Sequence, residues 1–425
     1  MKADVIIVGA GPAGSTCAIE LAKNGAHVIL LEKSAIGRYK PCAGGLLGDN
    51  EKEFGKLPNT IRQQPINQVI IGTKDSIGKI LPIHEGETFG TLVYRTEYDR
   101  YLAESAQSAG AELYTETEAI SANRFNDRIE IEASLKEGEK KSFSSDFLVI
   151  ATGLSSSKIQ RSLGIEYPKE VVNCVQAEFT IADNIIEERF GGGDIEIYWD
   201  ARGIASHGYA WIFTKPGGLT VGVLDYYIKV ERLKKIIEKH PVISPRLQGA
   251  KPLLIENRHY WAAPIPDRIV EYTNYPRTLV IGDAAGFVDR MNYEGIYYAR
   301  KSGKIAAEVI SKAISRKNFS AAYLARYEKR WNREIYLPFL LDSRFTHHFY
   351  YHSSYLDEFA NAVTAVLNDE SVMKRLYQEA RKNKEIKYLY KSEIFQIEMV
   401  KKLQETYDKD IFNDMYKHFT HENPI

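Results

Sequence analysis

The sequence has 425 residues with 56 basic and 56 acidic side chains, so its formal net charge is zero and nothing global points to nucleic acid. Hydrophobic residues at 44% and charged residues at 26% suit a globular chain long enough for two or more lobes, and no apolar run reaches the length of a membrane span. Three cysteines, Cys17, Cys42 and Cys174, make neither a disulfide framework nor a metal cluster. They predict a reducing, cytoplasmic setting, and no leader is expected ahead of a first strand that begins almost at Met1.

Val5 to Val8 form a short continuous apolar run, the pattern of a parallel strand buried on both faces. Gly9, Gly11 and Gly14, with Pro12 and Ala13 between the last two, give G-x-G-x-x-G at the opening of a helix. In that motif the first glycine permits the tight turn, the second lets a pyrophosphate approach, and the third lets helix and strand pack closely. The phosphates would sit at the helix N-terminus, where free N–H groups favour anions. Asn24-Gly25 ends the helix, since both tolerate a left-handed conformation. Val28 to Leu31 is a second strand, closed by Glu32 and Lys33, and an acid at that position accepts a ribose hydroxyl. The stretch predicts an adenine dinucleotide site and leaves NAD and FAD both open.

The loop that follows holds Pro41, Cys42, Ala43, Gly44 and Gly45. So many small residues let a backbone lie against something flat, although a plain surface loop has the same composition. Residues 66–83 read as short strands. Arg95 precedes a helix carrying Tyr98, Leu102 and Ala106 and ending at Gly110. A strand-rich meander over about 112–143 leads to FLVIATG, a second apolar run ending in Gly153, and Ser155 to Ser157 read as a turn. From Val171 to about Asp225 the pattern is strand-like throughout, with turns at GGGD and KPGG. Alternation there puts Tyr209, Trp211 and Phe213 on one face, either a half-buried sheet surface or the aromatic wall of a pocket. After a short helix over about 230–239, a third apolar strand ends in Gly282-Asp283. A helix starts near Glu294, Gly295 and Ile296 and runs to about Ser315. The last hundred residues read as helical, and RKNKEIKYLYK within them reads as a solvated helix, with contact to a membrane surface as the alternative.

The three strand ends together, G-x-G-x-x-G, ATG and GD, resemble the FAD-binding lobe of the para-hydroxybenzoate hydroxylase superfamily. Within it, KPCAGGLL, GYAWIFTK and GDAAGFVD followed by EGI are similar to the geranylgeranyl reductase family, over residues 1 to about 315. The resemblance implies an α/β (α+β) chain. Its Rossmann-type FAD-binding lobe would comprise 1–165 and 265–315, its antiparallel-sheet substrate domain 66–90 and 166–264, and its helical C-terminal region 316–425. It implies FAD held by Gly9, Gly11, Pro12, Ala13, Gly14, Glu32, Lys33, Cys42, Ala43, Gly44, Gly45, Arg95, Gly153, Gly282, Asp283, Glu294, Gly295 and Ile296. Glu32 would bind the adenosine ribose, Arg95 the pyrophosphate or ribityl, and Asp283 the ribityl chain. Tyr209, Trp211 and Phe213 would form the substrate wall. Five residues depart from the family pattern: Ala43 and Tyr293 for glycine, Thr152 for aspartate, Thr214 and Arg290 for proline.

Members of that family reduce isolated double bonds of geranylgeranyl chains in lipids, chlorophyll precursors or quinones. The resemblance therefore implies an FAD-dependent reductase supplied by NAD(P)H or another low-potential donor, such as an electron-donor protein. It also implies a lipid substrate met in peripheral contact with a membrane. Cys42 would be the proton donor or a residue tuning how flavin and alkene meet; a small residue admitted for space is the plainer reading. The alternatives are a flavin monooxygenase or halogenase, and a flavoprotein that only carries electrons or binds an isoprenoid. The Trp-x-Trp-x-Ile-Pro pattern of flavin halogenases is absent from the sequence.

Overall fold

Strand β1 (Lys2–Val8) lies inside a sheet because Val5, Ile6 and Ile7 present no polar face, and all three are fully buried. It pairs in parallel with β2 (Val28–Leu31) on one side and with the strand Lys140–Ile150 on the other. Helix α1 (Pro12–Lys23) makes the crossover between β1 and β2. The strand order is Asn274–Tyr275, Thr278–Val280, Lys140–Ile150, β1, β2, Glu112–Tyr114, and all of these pair in parallel except the first two with each other. Lys140–Ile150 is long enough to enter an antiparallel meander as well, with Ile129–Leu135 and Thr117–Arg124.

One row of this sheet matters most. Leu31, Val8, Ile150 and Val280 are partners in register across four strands. Glu32, Gly9, Ala151 and Ile281 therefore leave the sheet side by side. The three sequence motifs, more than a hundred residues apart, are neighbours for that reason. Behind them α1 packs on the helix Ile296–Ser315. A Cβ at Gly303 would fall 2.4 Å from Ala13 O, so the two helices touch backbone to backbone there.

The structure is a computed structural model that describes the chain apart from residues 49, 155–157, 192–193, 291, 337–355, 384–391, 408, 411 and 414–425. The chain forms two compact units. The first comprises Met1–Lys40, Tyr94–Val172 and the described part of Pro264–Ser343. The second comprises Pro41–Val93, Asn173–Ala263 and the described part of Arg344–Ile425.

The second unit is built on a sheet ordered Lys251–Pro252, Val171–Thr180, Gly218–Asp225, Ala210–Lys215, Asp194–Tyr198, Gln68–Gly72, Ile77–Ile80. The pairings along this order are antiparallel except that of Asp194–Tyr198 with Gln68–Gly72, and Trp261–Pro266 pairs with Val171–Thr180 off it. Ile77–Ile80 would be an open edge, and the C-terminal helices cover it. Leu367 of Leu356–Leu367 lies 2.7 Å from where a Gly78 Cβ would be, and Ser76 bonds Thr364. In Glu370–Lys382, Tyr377 OH both donates to Leu81 O and accepts from Leu81 N–H, at 3.0 and 2.8 Å. Among the described residues, no helix is long and apolar enough to cross a membrane.

The α/β fold class is the expected one, and local expectations differ in four places. The strand-like run from Val171 is interrupted by a helix, Asp183–Phe190. Ile186 and Phe190 are buried one turn apart, Asp183 sits in the first turn and Gly191 closes the end at φ +63°. Alternation missed it because the helix spans only two turns. Arg95 is the first residue of Arg95–Ser108 rather than preceding it. Of Asn24 and Gly25 only Gly25 is left-handed, at φ +82°. The strand Ala210–Lys215 begins after Tyr209, and every residue in it is buried, so the half-buried surface does not exist. Ser155 to Ser157 and most of RKNKEIKYLYK lie outside the described residues.

Candidate functional site

In the first unit the site starts at the glycine turn. A Cβ on Gly9 would fall 2.3 Å from Ala151 O, and one on Gly14 would fall 1.9 Å from Gly9 O. These two glycines are closed in by backbone. Gly11 is the opposite case, with nothing within 4 Å of a Cβ built there, and its φ of −74° suits any residue. Open space over the middle glycine is where a flat polar group can approach the main chain. Helix α1 starts here with no side-chain cap and no acid in its first turn, so its leading N–H groups are left for an external anion. Pro12 and Ala13, in that turn, are buried.

Glu32 stands at the end of β2, 6% exposed. Ala10 N–H donates to its Oε2 at 2.9 Å and Ser34 N–H to its Oε1 at 3.1 Å. The two bonds fix the carboxylate, and each oxygen retains a second acceptor position for a ribose hydroxyl. Lys33 beside it is exposed. An anchored acid, an uncapped helix start and an open middle glycine fit an adenine dinucleotide.

Arg95 is anchored within its own helix. Its Nε and a terminal nitrogen donate to the two oxygens of Asp99 at 2.9 Å each, with both side chains buried. Arg38 joins this pair to Glu32, at 3.7 Å from Asp99 and 3.8 Å from Glu32. Lys40 approaches Asp283 at 3.8 Å. Sequence reasoning passed over Arg38, Lys40 and Asp99, although two cations spaced by one residue in a loop after a cofactor strand were a visible signal. It also missed buried Arg300, which donates to Thr16 Oγ1 at 3.1 Å and Tyr98 OH at 3.2 Å and so ties three helices together.

Gly153 follows the second strand end at φ +60°, and Gly282 follows the third at φ +62°. Ser302 Oγ accepts from Gly282 N–H at 3.0 Å, which fixes the turn that presents Asp283. Gly295 caps Ile296–Ser315 without a side-chain bond, and Ile296 is buried. Glu294, just before, has its carboxyl pushed up to about 8. Burial is the main cause, helped by the like charges of Asp289 and Asp283 and opposed by the N–H groups of Tyr297 and Ile296. The residue is partly accessible, and the direction is toward a carboxyl that holds its proton at neutral pH.

The two bulky departures nearby have a common partner. Arg290 donates to both oxygens of Asp267 at 3.3 and 3.5 Å, and Tyr293 OH donates to Oδ1 at 3.2 Å. Asp267 is buried, so it gathers the added charge and bulk into one local cluster. Tyr293 accepts a strained φ of +52°, a conformation that glycine adopts freely.

In the second unit the Pro41–Gly45 loop leads into the strand Gly45–Leu47. Cys42 and Ala43 are half-buried and Gly44 is buried at φ +82°, with Val93 N–H donating to its carbonyl at 2.9 Å. A Cβ on Gly45 would fall 3.1 Å from the Phe213 ring, so loop and aromatic strand are in contact. Trp211 lies over Gly222, whose Cβ would meet the indole at 2.0 Å. Tyr209 packs edge-on against Trp211 with centroids 6.1 Å apart. All three aromatics are buried, and the Trp211 Nε1–H finds no hydrogen-bond partner among the described residues.

Residues 2–296 match a protein-family model described as an FAD binding domain. The chain is 33% identical over 346 residues to the digeranylgeranylglycerophospholipid reductase of Methanocaldococcus jannaschii, across 78% of this chain and 83% of that one. It is 29% identical over 350 residues to the reductase of the same name from Methanococcus aeolicus, across 80% and 84%. A solved geranylgeranyl bacteriochlorophyll reductase-like structure from Thermoplasma acidophilum shares the fold with a TM-score of 0.76 at 20% identity, over 97% of this chain and 99% of that one. The glycine turn, the anchored acid and these matches agree: the chain is an FAD-dependent oxidoreductase and belongs to the geranylgeranyl reductase family.

Proposed function

We propose that this enzyme saturates isolated C=C bonds of a geranylgeranyl or related isoprenoid chain, with electrons from NAD(P)H or another low-potential donor. The observation that supports it most directly is the match to digeranylgeranylglycerophospholipid reductases over more than three quarters of the chain. An isolated alkene has no carbonyl to draw charge, so hydride and proton must arrive nearly together and away from water. Bound FAD, once reduced, supplies the hydride. The first unit's part is binding: Glu32 for the ribose, the α1 N-terminus for the diphosphate, Asp283 for the ribityl hydroxyls. The second unit's part is the substrate. Tyr209, Trp211 and Phe213 give an apolar wall that excludes water and keeps the chain flat. Cys42 gives its thiol proton to the alkene carbon that does not take the hydride, and becomes a thiolate. Isoprenoid lipids partition into bilayers, so the enzyme meets them at a membrane surface.

The test is anaerobic. The flavin is reduced, a geranylgeranyl lipid is added, and the flavin absorbance is followed. Reoxidation by the lipid alone, with a saturated product, is the expected result. No reoxidation by lipid, with fast reoxidation by oxygen or a quinone, would overturn the proposal in favour of an oxygenase or electron carrier. Cys42→Ala should slow the lipid-driven step while leaving the flavin bound.

A further inference from the structure

A lysine ammonium is firmly hydrated, and burying it is unfavourable unless the fold provides partners. Lys215, the last residue of Ala210–Lys215, is 2% exposed. A period of two places it on the sheet face that carries Trp211 and Phe213. Its Nζ donates to Thr220 Oγ1 at 2.8 Å, and Thr220 Oγ1 donates to Glu178 Oε2 at 2.6 Å. Glu178 and Thr220 are direct partners across Val171–Thr180 and Gly218–Asp225, so three adjacent strands assemble the chain. Gln176 steadies the far end by donating to Glu178 Oε1 at 3.1 Å.

The lysine stem reaches the cysteine loop. A Cβ on Gly44 would lie 3.6 Å from Lys215 Cε. The titratable groups acting on the ammonium are Glu178 from the neighbouring strand and Cys42 from the loop, and both favour its charged form against burial, which pushes it below the ordinary lysine range. A buried cation beside a thiol favours the thiolate.

We propose that Lys215 is a positioning residue for Cys42: its ammonium, tethered through Thr220 to Glu178, holds a positive charge against the cysteine loop and favours the anion left on Cys42 when its proton is given up. The inference rests on the reading of Cys42 as proton donor. When Cys42 transfers its proton to carbon, the anion left on Sγ lies in the field of the Lys215 ammonium, and solvent returns the proton afterwards. Lys215 is built into the same sheet face as the substrate wall.

The experiment reads the thiol itself in the FAD-loaded, full-length protein. Alkylation of Cys42 by iodoacetamide is followed across the neutral to alkaline range by mass spectrometry of its peptide. Cys17 and Cys174 are buried and serve as internal references. Only the thiolate reacts, so the midpoint of rate against pH reports the Cys42 equilibrium. Lys215→Met removes the cation at similar volume and should raise the midpoint by about one to three units. Thr220→Val keeps shape, unties Lys215 and should raise it by less. Unchanged midpoints in both variants, with flavin absorbance intact, would overturn the inference. If Lys215→Met does not retain flavin, Thr220→Val decides alone: a raised midpoint supports the coupling and an unchanged one removes it. Alkene reduction is measured separately. A wild type that reduces no alkene refutes the proposed function, whereas the midpoint shift judges only the link between Lys215 and Cys42.

Discussion

Alanine at Gly11 and alanine at Gly14 should fail in opposite ways. A Cβ on Gly14 would stand 1.9 Å from Gly9 O, where real contacts essentially never fall under 3.0 Å, so helix and turn must part by 3.0 − 1.9, about 1.1 Å. The obstacle is backbone on both sides, and no rotamer relieves it. Overpacking of this kind costs about 1–3 kcal/mol, so Gly14→Ala should lower the Tm of the flavin-free protein by roughly 3–10 °C. Gly11→Ala meets nothing within 4 Å at an ordinary φ of −74°. Its flavin-free Tm should hold or rise slightly, because alanine restricts the unfolded chain by about 0.4–1 kcal/mol more than glycine. Yet the new methyl fills the space through which a diphosphate reaches the helix N-terminus. FAD affinity should therefore drop at least about tenfold, or ~1.4 kcal/mol. Thermal unfolding of the flavin-free protein and fluorescence titration with FAD measure the two effects. Wild-type FAD affinity in Gly11→Ala would show that the diphosphate does not lie over that glycine. An unchanged Tm in Gly14→Ala would show that the turn is not closed as described.

Glu32→Ala strands two backbone donors, those of Ala10 and Ser34, and should lower stability by roughly 2–4 kcal/mol in denaturant titration as well as weaken FAD; no loss of stability would contradict the anchoring bonds. Glu294 holds a proton in the folded chain between its ordinary 4.5 and about 8, where the unfolded chain has lost it, so stability of the flavin-free protein should fall as pH rises through that window by about 2–4 kcal/mol. Glu294→Gln should flatten the slope, and an equal slope in the variant would assign it to another group. Arg246 donates to both oxygens of Glu196, which is fully buried and whose carboxyl burial pushes up to about 7 against the pull of Arg246. Arg246→Ala should cost about 3–5 kcal/mol above pH 7 and less at pH 5, where Glu196 takes up a proton; urea midpoints at the two pH values decide it. Asp267→Ala removes the shared acceptor of Arg290 and Tyr293, and the visible flavin spectrum and FAD affinity should change together if that cluster borders the ring.

The first unit's organisation was legible in the residues alone. Buried parallel strands must be apolar on both faces, so three such runs ending in GAG, ATG and GD could be read without coordinates. The acid after β2 and the open middle glycine followed from the same pattern, since motif spacing there reflects a fixed strand–turn–helix geometry. What those residues touch was settled by packing. Arg95 pairs with Asp99 one helical turn on, a spacing visible in the sequence, whereas Arg290 and Tyr293 found Asp267 across a longer separation that leaves no trace in spacing. The helix Asp183–Phe190 was too short for its period to stand out from the strands around it. The C-terminal helices, without any motif, took their place by covering the Ile77–Ile80 edge, which is a matter of which edge was left open. Lys215 is the sharpest case. In the sequence it is one cation after an aromatic strand, and only the pairing of three strands buries it between Thr220 and the cysteine loop.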